Sequence, residues 1–229
     1  MSLFPIFSPA SASIATVTYI STNQDEVNRT NYTFSSQGIG TAAADRKVVV
    51  VINASGGTTN DITGCTIGGS TATEEQSSGL QGETRMAIYS LNSVSSGTSA
   101  DIVFTQGGSA GVVMIAVFAV YGASDTKNAS GTQKGGSGFS PSIDLAVPAN
   151  GVIVAGSCSA FSSGASGNAV SFTNITERVE YGGDPVGDSG FVGGAASDAY
   201  ENAATISVNS AFAGGNSSTV GCAVSYGPK

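Results

Sequence analysis

Carboxylates are the side chains whose type is best suited to chemistry in this chain, because two of them at a set separation suffice for glycoside hydrolysis without any imidazole. The candidates are Glu74, Glu75, Glu83, Glu177, Glu180, Asp184, Asp188 and Asp198. Most fall in expected turns or at outward strand positions, where a solvated carboxylate is the ordinary outcome. No tryptophan is present to form a sugar platform. Asp184 and Asp188 share a glycine-rich loop that would suit a hard cation such as calcium, although no EF-hand spacing surrounds them. Gly187-Asp188-Ser189-Gly190 repeats the tetrapeptide around a serine-protease nucleophile, but the chain contains no histidine to accept the serine proton. That match is accidental. Gly38-Ile39-Gly40 begins like a dinucleotide fingerprint, lacks the third glycine and any βαβ unit, and reads as a turn. Cys65, Cys158 and Cys222 are odd in number and far apart, which suits reduced, buried thiols better than a zinc knuckle or a redox pair. No catalytic, cofactor or metal assignment follows, and the chain reads as a non-enzyme.

Charge narrows the partners. Sixteen acidic residues outweigh eight basic ones, for a net charge of −8, and the basic residues never cluster, so a phosphate-tracking groove is excluded and no nucleic acid is expected. Of 229 residues, 32 are glycine and 56 are serine or threonine, while 40% are hydrophobic, which is too apolar for a disordered chain. Residues 1–12 (MSLFPIFSPASA) are apolar but carry Pro5 and Pro9 and no basic segment, so they read as neither a signal peptide nor a membrane span. They form an expected extended arm. Leu3, Phe4, Ile6 and Phe7 would each forgo about 1.5–3 kcal/mol of burial if left in water, so some surface is expected to receive them.

The elements that must position these residues are strands. Period-two alternation recurs along the chain, with Ile143, Leu145 and Val147, or Ile102 and Phe104, or Ala204, Ile206 and Val208, forming inward sets. Paired glycines such as Gly56-Gly57 and Gly182-Gly183 separate the runs. About a dozen strands are expected, giving an all-β fold: a two-sheet, jelly-roll-like β-sandwich with an extended N-terminal arm. Three runs break the alternation, at residues 48–52, 152–155 and 112–121 (VVMIAVFAVY), and are apolar on both faces. A simple sandwich covers only one face, so Val113, Ile115, Val117 and Tyr121 are expected to need a second cover. Overlying parts of the same chain are one candidate; a neighbouring subunit is the other, and with the arm these residues make the expected interface.

A faint duplication aligns residues 46–54, 63–67, 84–91, 100–105 and 112–122 with residues 151–160, 171–176, 189–200, 204–208 and 219–227. No linker rich in charge or proline divides the two, so the expectation is an arm (1–12) followed by one sandwich domain (13–229) made of two interleaved halves.

Residues 31–52 (NYTFSSQGIGTAAADRKVVVVI), 62–73 (ITGCTIGGSTAT) and 86–104 (MAIYSLNSVSSGTSADIVF) resemble a Gly/Ser-rich β-sandwich module of tailed-bacteriophage and prophage virion structural proteins. Asn174-Ile175-Thr176-Glu177-Arg178 and the terminal strand, Val220 to Tyr226, extend the likeness over most of the chain. The matching elements are turn and packing residues and bring no binding site. The resemblance implies a virion protein assembled in the host cytoplasm. The leading expectation is a capsid decoration or cement protein that binds the major capsid protein lattice as a homo-oligomer, with residues 1–12 docking. The alternative is a receptor- or host-glycan-binding tip of a tail fibre or appendage, using loops 162–168 and 181–189. No membrane partner is expected.

Overall fold

The computed structural model describes residues 13–56, 61–161, 169–183, 190–214 and 216–229. Among them are seventeen strands and no helix, arranged in four antiparallel sheets. In the first half an inner sheet has the order β1 (Thr16–Asp25), β9 (Val112–Tyr121), β3 (Lys47–Ser55), β7 (Thr84–Leu91), β6 (Thr73–Ser77). An outer sheet has the order β2 (Arg29–Gly38), β8 (Ser99–Ala110), β4 (Ile62–Ile67), β5 (Ser70–Thr71). The second half repeats this. Its inner sheet runs β10 (Ala129–Gly135), β17 (Asn216–Tyr226), β12 (Gly151–Phe161), β15 (Gly190–Tyr200), β14 (Glu177–Gly183). Its outer sheet runs β11 (Ser142–Val147), β16 (Ala204–Phe212), β13 (Val170–Thr173). Numbered from the start of each half, with the two-residue β5 left out of the count, the inner orders are the same: first, last, third, sixth, fifth.

The sequence pattern follows from the layering, which is outer, inner, inner, outer. Outer strands face a core on one side and water on the other: β11 buries Ile143, Leu145 and Val147 and exposes Ser142, Asp144 and Ala146. Inner strands have a core on both sides, and all nine residues of β3 and all eleven of β12 are buried. The first half's own core packs Val48, Val50, Val113, Ile115 and Val117 against Tyr32, Phe34 and Phe104 of the outer sheet, the rings of Tyr32 and Phe104 stacking 5.1 Å apart. In the second half Ile143, Leu145, Ile153 and Val208 form one cluster and Phe161, Val170 and Val192 another. Buried hydroxyls lie on the same strands: Ser210 donates to Ser157 Oγ at 2.8 Å, and Ser157 to the Val220 carbonyl at 2.9 Å.

The third core lies between the halves. Val49, Val51, Met86, Met114, Phe118 and Val120 pack on Val154, Cys158, Phe191, Val220, Cys222 and Val224. β3 lies over β12, β7 over β17, β9 over β15 and β6 over β10. Each strand therefore meets the counterpart of its opposite number, the pattern of an isologous two-fold interface, with the axis along β3 and β12. At that crossing sits Gly156. A Cβ there would stand 2.3 Å from Met86 Cε, 2.6 Å from Val51 Cγ1 and 3.2 Å from the Gly194 carbonyl oxygen, so the glycine sets how closely the inner sheets approach.

Interleaving, expected from the duplication, is not what the strands do. Every ladder among the described residues stays within its own half, because each half supplies all the partners its strands need. The halves share a core rather than sheets. Proteolytic cleavage within the junction, residues 123–128, is therefore expected to leave the two pieces bound to each other in gel filtration; separation into independent fragments would contradict the shared core.

Candidate functional site

The carboxylate candidates do not converge among the described residues. Glu74 accepts the Tyr89 hydroxyl at 2.9 Å, and Asp198 accepts the Thr176 amide at 3.0 Å and pairs with Arg178 at 3.4 Å. Glu177 and Glu180 are exposed on β14; partial burial, then the charge of Glu180, raises Glu177. No group of three His, Cys, Asp or Glu able to hold a metal occurs among the described residues. Asp184, Asp188 and Ser189 lie outside them. The three cysteines are free and buried, and burial pushes Cys65 and Cys222 up to about 12 and Cys158 higher still, which suits the reading as inert core thiols.

The expected interface residues on β9 find their cover inside the chain. Val113, Ile115 and Val117 are fully buried under the first half's own outer sheet, and the opposite face of β9, with Met114, Ala116, Phe118 and Val120, is covered by the second half. The surplus apolar face therefore carries no argument for a neighbouring subunit. The missing cover was the other copy of the same fold. Tyr121 is half-buried, and its hydroxyl donates to the Thr41 carbonyl at 2.9 Å. Leu3, Phe4, Ile6 and Phe7 lie outside the described residues.

The strands bring other groups together at two opposite ends of the body. At one end the described chain begins and finishes: Ser13 Oγ donates to the Lys229 carbonyl, Lys229 N donates to the Gly122 carbonyl at 2.8 Å, and Ala15 N to the Asn150 carbonyl at 3.0 Å. At the other end β3 and β12 finish and β7 and β15 start, with Thr84 and Ser218 hydroxyls 3.3 Å apart across the halves and Asn53 Nδ2 donating to the Gly194 carbonyl at 3.2 Å. Segments 57–60, 162–168 and 184–189 all leave from strand ends on this side.

Two grooves flank the end where the chain begins. One, of about 410 Å³, is lined by Ile39, Ile67, Leu91 and the serine-rich turn 92–97. Arg46 fixes that turn from beneath, Nε donating to the Val94 carbonyl at 2.9 Å, Nη2 to Ser96 at 2.8 Å and Nη1 to Gly40 at 2.5 Å. Gly40, at φ +83°, cannot be replaced without meeting Ala119 and the Tyr121 hydroxyl. The other groove, of about 520 Å³, is lined by Ile14, Ala15, Asn150, Ala199 and Tyr200, and Ile14 is 66% exposed.

Between the grooves lies a polar cluster that the sequence did not flag. Lys47 is 2% exposed, its Nζ 3.8 Å from the centre of the Tyr226 ring and donating to the Asp125 carbonyl at 3.1 Å. Burial pulls its pKa down to about 8, the charges of Glu75 and Asp125 offsetting part of the effect. Glu75, 6% exposed, accepts the Ser90 hydroxyl at 2.6 Å, and Lys127 reaches its carbonyl and carboxylate. One signal was legible: Lys47 stands two residues before Val49, on the face that packs between the halves. Comparisons with known protein families, with curated proteins and with solved structures find no match to this chain.

Proposed function

We propose that the chain is a structural protein of a bacteriophage virion, a capsid decoration protein that binds the major capsid lattice through the end where residues 1–12 leave the body. The observation that carries this reading is the division of labour between the two ends. The arm starts beside Ile14 and its apolar groove, while β12 and β14 of the second half, which lead into residues 162–168 and 184–189, end on the opposite side. A body anchored at the first end would present the second to the medium. The strand order supports the finer reading that each half is a jelly roll: with the two-residue β5 left out of the count, the first, last, third, sixth and fifth strands form one sheet and the second, seventh and fourth the other, close to an architecture that recurs in capsid and lectin domains. The resemblance of residues 31–52, 62–73 and 86–104 to virion modules points the same way.

The oligomeric state in this reading is set by the lattice. Many weak contacts per particle suffice when copies are held together. Deleting residues 1–12 is expected to abolish occupancy on purified particles while leaving the body folded; unchanged occupancy would overturn the docking role.

The loop end favours a second reading, a receptor- or glycan-binding tip of a tail fibre or appendage. Both halves send loops to that side, and residues 162–168 are rich in serine and glycine, side chains suited to adaptable hydrogen bonding. Copy number separates the two readings, since a decoration protein stains as an abundant band of the particle and a fibre tip as a minor one.

A further inference from the structure

The head of β3 and the tail of β7 bring an amine and a carboxamide side by side. Val48 faces Leu91 in their ladder, so the next antiparallel step sets Lys47 opposite Asn92. Lys47 Nζ donates to the Asp125 carbonyl at 3.1 Å, and Asn92 Nδ2 donates to the same oxygen at 3.0 Å. Two nitrogens on one acceptor are close neighbours. Asn92 Oδ1 is buried and has no hydrogen-bond partner. Such orphaned groups are uncommon in a folded core. Glu75 supplies a buried carboxylate whose charge acts on both Lys47 and Tyr226.

This is the set of groups needed for amide exchange: a desolvated amine, a carboxamide and a carboxylate to move the proton. We propose that Lys47 and Asn92 join in an intramolecular isopeptide bond that staples β3 to β7. The unprotonated Nζ attacks Cγ of Asn92, and the bond from Cγ to Nδ2 breaks. Glu75 carries a proton from Nζ to the departing nitrogen, and one ammonia leaves for each amide formed. No oxidant or cofactor enters the balance. Burial favours the reactive form, since a lysine at about 8 is neutral in roughly a tenth of molecules at neutral pH. The product closes residues 47–92 into a covalent loop beside the end through which the chain is proposed to be anchored. It would do so in a chain whose three cysteines are all free.

Intact-mass measurement on the purified full chain tests this. The parent protein is expected to weigh one ammonia less than its sequence requires, and trypsin is expected to release residues 47–85 joined to residues 86–127, because an acylated Lys47 is no longer cleaved. Lys47→Met and Asn92→Ala are expected to keep the full sequence mass. Glu75→Gln, checked for folding by circular dichroism, is expected to keep it too; a bond that forms as fast in that variant would overturn the part given to Glu75. Full sequence mass in the folded parent, with separate peptides 48–85 and 86–127, would overturn the bond itself. The parent measurement needs no variant to fold.

Discussion

Gly156→Val is expected to destabilise the chain by about 3 kcal/mol or more, the upper range for overpacking a filled core. The position has no room to yield. Its would-be Cβ meets Met86 Cε, which is a flexible end, but also Val51 Cγ1 and the Gly194 backbone oxygen, which are not. Relief would require the inner sheets to separate at the centre of their shared core, exposing Val49, Phe118, Val154 and Cys222 together. Gly136→Ala is the matched control, since a Cβ there has nothing within 4 Å, and it is expected to be neutral. Chemical denaturation of both variants measures the difference. Equal stability of Gly156→Val and the parent would mean that the halves do not press together at this point.

A second large effect is expected at alkaline pH. The thiols of Cys65 and Cys222 are held near 12 by burial, against 9.0 for an unperturbed thiol, and Cys158 is raised further. The unfolded chain therefore loses three thiol protons above pH 9 that the folded chain keeps. Stability is fully present below that pH and falls as pH rises. Each unit is worth about 1.4 kcal/mol per group, so two units above the unfolded value three thiols remove roughly 8 kcal/mol. That is comparable with the whole stability of many domains, about 5–15 kcal/mol. The raised phenols of Tyr89, Tyr181 and Tyr200 add to the loss above about pH 10. Unfolding free energy measured against pH is expected to drop steeply over this window, and Cys158→Ala or Cys222→Ala to make the drop shallower. A free energy constant to pH 11 would show that the thiols are not held protonated.

Much of the fold was legible because strands announce themselves by period. Ile143, Leu145 and Val147 alternate as expected, as do Ile102 and Phe104, and the paired runs of the duplication are β3, β4, β7, β8 and β9 against β12, β13, β15, β16 and β17. Ala204 was assigned inward and is exposed, because β16 reaches its core only from Ile206 onward. Edge strands were harder to see. β5 is two residues long and β10 reads ASGTQKG, with no apolar residue beyond one alanine to mark a face.

The arrangement of the halves was not legible, and the reason is physical. A strand apolar on both faces states that both are covered, not by what. In β9 the answer was split, Val113, Ile115 and Val117 facing their own outer sheet and Met114, Ala116 and Phe118 facing the other half. The polar cluster was hidden for a related cause. Lys47 at the head of its strand and Glu75 in a polar run carry no periodic mark of burial, and the packing of β17 across β6 and β7 covers them. Tyr226, at the end of the last strand and fully buried, supplies the ring that Lys47 lies against.

Native-state hydrogen exchange addresses the shared core most directly. Amides of β3 and β9 in one half and of β12 and β17 in the other are expected to exchange only through a common opening, with one free energy and one response to denaturant. Two distinct free energies, one for each half, would contradict a body held together at its centre by packing between the two inner sheets.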